Sequence, residues 1–357
     1  MSGCARPIHY LPVSIYHCIY WRASFGGNCS KSFKLWGLGL RLSGMKNSKA
    51  REKEIFAGTE VLQTLRDWVR FAVSLFNREG LFFGQGSANA YDEALYIIQS
   101  VLHLPLEGPE SFLDARLTAA EIETVKDALA RRALERVPAA YITKEAWLGD
   151  YRFYVDERVI VPRSYFMEII PEQLTPWLAD ADAVERVADV CTGGGSIAIL
   201  LAHAFPNAQV DACDISVPAL EVATKNVEDY GLVEQISLFQ SDVLDDVPAE
   251  ANAYDIIVSN PPYEPDALRE TLPAEFTHEP DNALFSGEDG MDVIRKLLEQ
   301  AAEKLKPSGL LLIEVGGLQD ALEAAFPQIE FNWLATADES DCVCLIQASS
   351  LKRAFGK

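Results

Sequence analysis

From residue 186 onward the chain alternates short apolar runs with stretches of helical period, and no other pattern in it restricts the fold so tightly. The apolar runs lie near 187–191, 209–213, 236–240, 255–259, 309–315, 329–335 and 341–347, and helical spacing falls near 195–204, 217–229, 290–305 and 318–325. Such alternation implies a mostly parallel sheet covered by helices on both faces. Only the turn Thr336 to Ser340 separates the last two runs. They are expected to pair antiparallel, because a parallel pair needs a long crossover.

The preceding stretch has a different period. Leu62, Leu65, Val69, Val73 and Phe76 fall on one helical face, and Ala90, Ala94, Ile97, Ile98 and Val101 form a second stripe. A third helix is expected from Asp114 to Arg136, with Thr118 and Glu121 as a capping box and Pro138 as its stop. Between 141 and 161, Tyr151, Phe153 and Val155 alternate, as do Val159 and Val161, which predicts a short hairpin. The chain therefore divides into an irregular basic extension (1–54) expected to be disordered, a helical domain (55–137), a β-hairpin linker (138–165) and an α/β domain (166–350).

Charge separates these parts further. Residues 1–50 hold seven Lys/Arg and no acidic residue, whereas the rest carries 24 basic against 53 acidic side chains, a net of −29. The extension resembles a transit peptide in its charge, but a translation start placed too far upstream, with Met45 near the true beginning, explains it more simply. An acidic body repels phosphate backbones and suits a basic partner, so direct nucleic-acid binding is not expected. The seven cysteines form neither a disulfide framework nor a metal cage. No metal is expected, and a reducing cytoplasm is the expected location. No apolar stretch is long enough to suggest a membrane span.

The first strand of the α/β part runs into Cys191-Thr-Gly-Gly-Gly195 and then a helix. Gly193, Gly194 and Gly195 allow a ligand to approach the main chain. Gly193, Gly195 and Ala198 alone also satisfy a dinucleotide fingerprint. Asp214, at the end of the next strand, can accept hydrogen bonds from both hydroxyls of a ribose. Two further acids tilt the choice. Asp189 just before the turn would repel a pyrophosphate but suits a cationic amino-acid end, and Asp242 after the third strand can accept from an adenine amino group. Each is ordinary turn or capping material alone. Together, at three successive strand ends, they describe a pocket for a sulfonium nucleoside such as S-adenosylmethionine.

The fourth strand ends in Asn260-Pro261-Pro262-Tyr263. A planar NH2 group is a poor nucleophile because its lone pair is delocalised. Acceptors that hold both hydrogens make it react, and the Asn260 side-chain oxygen and Pro261 carbonyl can supply them. The prolines stiffen the loop, and Tyr263 can pack on a flat amide beside a cationic methyl. Catalysis of this kind is positioning and fixed dipoles.

These residues resemble the glutamine-N5 methyltransferases, the HemK-like family that modifies peptide release factors and a ribosomal protein. The likeness spans roughly 55–348. Val161-Pro-Arg163-Ser164, Leu81-Phe-Phe-Gly-Gln-Gly86 and Leu272 to Pro280 resemble the branch that acts on the third large-subunit ribosomal protein. The resemblance implies a seven-stranded, Rossmann-like class I methyltransferase sheet with an N-terminal helical substrate-recognition domain, and a cleft between them for an extended glutamine-bearing loop. It also implies S-adenosylmethionine as cofactor. The cofactor turn then falls on Asp189, Cys191, Thr192, Gly193 and Gly195, the ribose acid on Asp214, the adenine-side acid on Asp242, and the reactive-amide motif on Asn260 to Tyr263. Arg163 is a candidate substrate contact, with a surface salt bridge as the alternative. His278 and Glu279 are either substrate contacts or loop structure. The oligomeric state is not legible.

Three rivals remain at this stage beside a release-factor substrate. An adenine-N6 nucleic-acid methyltransferase uses the same tetrapeptide, but neither a basic groove nor a base-reading module is visible. A nicotinamide-binding dehydrogenase would bind a dinucleotide. A non-catalytic assembly factor would keep the fold without turnover.

Overall fold

The structure is a computed structural model that describes residues 48–170, 174–178 and 180–357. The expected disorder of the extension falls on residues outside this set up to 47. Ser48–Ile55 is helical, where irregular chain was expected to residue 54. Among the described residues the chain forms two compact units, the first ending at Thr143 and the second running from Lys144 to Lys357.

The first unit is helical. Leu65–Glu79 starts after Thr64, whose hydroxyl and Asp67 form a reciprocal capping box, so Leu62 lies ahead of the helix rather than in its stripe. Asn89 caps Ala90–Val101, and the expected Thr118–Glu121 box caps Ala119–Ala133. Trp68, Phe76, Ile97 and Leu129 are fully buried at the centre. Arg132 is buried with them and donates to Glu93 at 2.6 Å and to the Phe82 carbonyl at 2.7 Å. That ion pair anchors the Leu81-to-Gly86 loop to two helices. Arg136 closes the carboxyl end of Leu65–Glu79 by donating to the Glu79 and Gly80 carbonyls, where a cation is favoured.

The second unit opens with the hairpin β1 (Glu145–Leu148) and β2 (Tyr151–Tyr154). The turn falls at Gly149-Asp150, because Gly149 adopts the left-handed conformation (φ +58°) that a two-residue turn requires. The hairpin therefore ends before Val159 and Val161, which were expected to extend it. Both are buried, but on extended chain outside any strand.

The main sheet comprises β3 (Arg186–Val190), β4 (Gln209–Asp214), β5 (Ile236–Gln240), β6 (Tyr254–Ser259), β7 (Leu305–Glu314), β8 (Asn332–Trp333) and β9 (Val343–Gln347). The order is β5-β4-β3-β6-β7-β9-β8. β3 to β7 are parallel, and β9 runs antiparallel to both β7 and β8, as the short last connection requires. β8 is shorter than its apolar run suggested. Period-two alternation splits each strand between two cores. Ile256, Val258, Leu310 and Leu312 face one helical layer, and Ile257, Leu311 and Ile313 face the other. Fully burying each such side chain contributes about 1.5–3 kcal/mol. Strands apolar on both sides are thus the cause of the three-layer arrangement.

Candidate active site

The order of the sheet reverses at β3, whose two neighbours are β4 and β6. Open α/β sheets bind ligands outside the carboxyl ends of the strands at such a point. A cleft open to solvent lies there.

The turn after β3 forms its floor. Cys191 bends the chain in the left-handed region (φ +63°), and Thr192 N donates to the Cys213 carbonyl at 2.9 Å, tying the turn to β4. Cys191, Thr192, Gly193 and Gly194 all line the cleft. Gly193 has φ +55°, and a Cβ there would stand in open space. Gly195 does not line the cleft. Its ideal Cβ would lie 3.3 Å from Ala223, so it serves helix packing, not ligand approach as expected. Asn226, fully buried on helix Val217–Asp229, donates to the Gly194 and Tyr154 carbonyls and accepts from Tyr154 N, joining the turn to β2.

The three acids separate in environment. Asp214 lines the cleft and accepts from Gly193 N at 2.9 Å through Oδ2 and from Ser216 N at 2.8 Å through Oδ1. Burial raises its pKa, and backbone amides oppose the rise. Asp242 sits at the rim, half-exposed, with Oδ2 2.6 Å from Lys296 Nζ. Asp189 is fully buried and does not line the cleft, contrary to its expected contact with a cationic end. Thr192 Oγ1 donates to its Oδ2 at 2.5 Å, holding the carboxyl against the turn, and Oδ1 has no hydrogen-bond partner among the described residues. Burial first, and the charge of Asp214 last, push its pKa up to about 7.

Asn260 to Glu264 form the opposite wall. Ser259 Oγ donates to the Val190 carbonyl at 2.7 Å and fixes the end of β6 to β3. Asn260 Nδ2 makes a long hydrogen bond, 3.4 Å, to the Arg163 carbonyl. Glu264 N donates to the Leu284 carbonyl and Ser286 N to the Glu264 carbonyl, so the loop joins segment 284–286 as a parallel bridge. Two glycines seat Tyr263. A Cβ on Gly290 would meet the Tyr263 carbonyl at 2.2 Å, and one on Gly316 would meet its ring at 2.6 Å. Burial, then the charges of Glu314 and Glu264, raise the Tyr263 pKa, so the phenol stays neutral.

Arg163 lines the cleft too, but its guanidinium is engaged in a bidentate pair with Glu279, at 2.6 and 2.8 Å. The side chain thus forms a salt bridge, but a buried one rather than the surface pair that was the alternative. Glu279 is a loop-structure residue, as one of its two readings held. Ser164 Oγ and Tyr165 N both donate to Glu314 Oε2. Glu314, Asn226, Gly290 and Gly316 were not singled out from the sequence. Each is one polar or glycine residue whose partner lies far along the chain, so no local pattern marks it. Among the described residues no group of His, Cys, Asp or Glu is arranged to hold a metal, and no helix is long and apolar enough to cross a membrane.

The cleft suits S-adenosylmethionine. A bare backbone at Gly193 admits close approach, and Asp214, which lines the cleft, offers acceptor oxygens for vicinal hydroxyls. This combination of sheet and cleft is that of a class I S-adenosylmethionine-dependent methyltransferase. The Methyltransferase small domain family matches residues 172–290. The ribosomal protein uL3 glutamine methyltransferase of Neisseria meningitidis serogroup A is 49% identical over 81% of this chain and 95% of its own length. The same-named proteins of Burkholderia pseudomallei and Bradyrhizobium diazoefficiens are 48% and 41% identical, over 82% and 85% of this chain and 97% and 96% of their own. The chain belongs to this family of glutamine methyltransferases. The dehydrogenase and assembly-factor alternatives fall with that finding.

Proposed function

We propose that this enzyme methylates the side-chain amide nitrogen of a glutamine in ribosomal protein uL3. One observation carries the assignment of the reacting centre. Asn260 lines the cleft at the end of β6 with its Nδ2 committed to Arg163, while Oδ1 receives no hydrogen bond from the described residues. A carboxamide thus held offers an acceptor to the substrate NH2, and the Pro261 carbonyl is the second. Hydrogen bonds to both N–H groups orient the nitrogen and stabilise the positive charge it gains as the carbon–nitrogen bond forms. The buried Pro261 and Pro262 keep these acceptors in place at little entropic cost. The neutral Tyr263 ring offers a face to the amide and to cationic carbon. The cationic N-methylated amide first formed is a strong acid and gives its proton to water in the open cleft, so no general base is needed.

S-adenosylmethionine supplies the electrophilic methyl group, whose carbon–sulfur bond breaks as the carbon–nitrogen bond forms. Asp214 would hold its ribose and the free Oδ1 of Asp242 its adenine amino group, with Cys191, Thr192 and Gly193 as the backbone floor. The acidic body, net −29 beyond residue 50, suits a basic ribosomal protein engaged before RNA covers it, in the cytoplasm.

The test is methylation of purified uL3 by wild type and by Asn260→Ala, read by mass spectrometry of glutamine peptides. Wild type should add one methyl group. Asn260→Ala should be slower on the order of a hundredfold, by analogy with loss of one transition-state partner. A variant with near-full activity removes Asn260 from the reaction.

A further inference from the structure

Two buried carboxylates from distant parts of the chain hold segment 161–165. Glu279, whose side chain is fully buried, accepts from both terminal nitrogens of Arg163 and from Val161 N at 3.1 Å. The Arg163 guanidinium lies over the Phe276 ring at 5.5 Å, so it is held on a face as well as at its tip. Glu314 holds the next residues through Ser164 and Tyr165. Between these anchors lies the Arg163 carbonyl, the acceptor for Asn260 Nδ2.

An Asn side chain turned by half a rotation would present NH2 instead of oxygen to a substrate amide. Donor would then face donor. The Arg163 carbonyl is the protein group that selects the productive orientation, and it does so only while the peptide carrying it is fixed. We infer that the Arg163–Glu279 pair is a positioning device for Asn260, setting which end of its carboxamide faces the substrate. The charge of Arg163 is spent on Glu279 and is not a substrate ligand. This inference rests on the role given to Asn260 above.

Three variants test it. Glu279→Gln breaks the bidentate pair. Arg163→Met combined with Glu279→Leu removes the pair without leaving a buried charge, a replacement that folded proteins often tolerate. Asn260→Ala supplies the background. Both clamp variants should lose kcat, by on the order of a hundredfold for a misplaced reacting group, with KM for uL3 and the Kd for S-adenosylmethionine little changed. In the Asn260→Ala background the same changes should add almost nothing, since the group they position is gone. Wild-type kcat in the double apolar variant, or a full additional loss on top of Asn260→Ala, would overturn the inference. A readout free of substrate completes the test. The Asn260 side-chain NH2 resonances, assigned by their loss in Asn260→Ala, should shift in the double apolar variant, and unchanged resonances would also overturn it. If wild type leaves uL3 unmethylated, the substrate assignment fails while these resonances still decide the clamp.

Discussion

Replacing Asp214 by alanine should weaken S-adenosylmethionine binding far more than it destabilises the apo protein. The carboxylate accepts from Gly193 N and Ser216 N, one per oxygen, and lines the cleft, where a ligand hydroxyl can reach it. A hydrogen bond to a charged acceptor is worth about 1.5–3 kcal/mol, which converts to a roughly 10- to 150-fold rise in Kd. Losing the two amide partners also loosens the Gly193 turn, and that part should appear without ligand as about 1–2 kcal/mol of stability. Asp214→Asn separates the contributions, because it keeps the shape and one acceptor oxygen but loses the charge. Calorimetric titration of wild type and both variants, with thermal melts of the ligand-free proteins, measures each part. The expected order of affinity is wild type, Asn, Ala. An alanine variant that binds as tightly as wild type would refute the reasoning and mean that another group holds the ribose.

Asp189 predicts a pH dependence. An acid raised from 3.8 to about 7 by burial holds its proton more tightly when folded. Its contribution is therefore full below about pH 4 and lost as pH rises to about 7, on the order of 4 kcal/mol. Asp189→Asn should flatten the fall of Tm over that range relative to wild type, and parallel curves would contradict the burial argument. In the helical unit, Glu93→Ala leaves Arg132 charged and buried, which should cost about 3–5 kcal/mol in denaturant titrations. A loss typical of a surface pair would show that water reaches the guanidinium.

The sheet was legible because its strands are apolar on both faces and its connections are of strand–helix–strand length. Even the antiparallel end followed from the brevity of Thr336 to Ser340. The hairpin was misplaced for a local reason. Val159 and Val161 alternate like a strand since both are buried while Arg158 and Ile160 beside them are not, whereas Gly149 sets the actual turn. At the site, the two contiguous loops expected from their chemistry, Asn260 to Tyr263 and Cys191 to Gly193, line one cleft. Asp189 and Gly195 belong to the same motif but face inward, and one-dimensional spacing does not distinguish the two sides of a turn. Glu279 lies 116 residues from Arg163, and Glu314 lies 150 from Ser164, so their partnerships exist only in three dimensions.

Tyr263 is enclosed by two glycines for unlike reasons, and their tolerance of change should differ. Gly290 presses on the Tyr263 main chain, which every residue at 263 possesses, so no exchange at 263 makes room for a larger residue at 290. Gly316 presses on the ring, so Gly316→Ala should abolish turnover alone yet recover part of it beside Tyr263→Ser, the remaining deficit reflecting the lost Tyr263 ring and the left-handed backbone at 316 (φ +53°). In a library randomised at all three positions and selected for methylation, 263 and 316 should therefore covary, while 290 stays invariant.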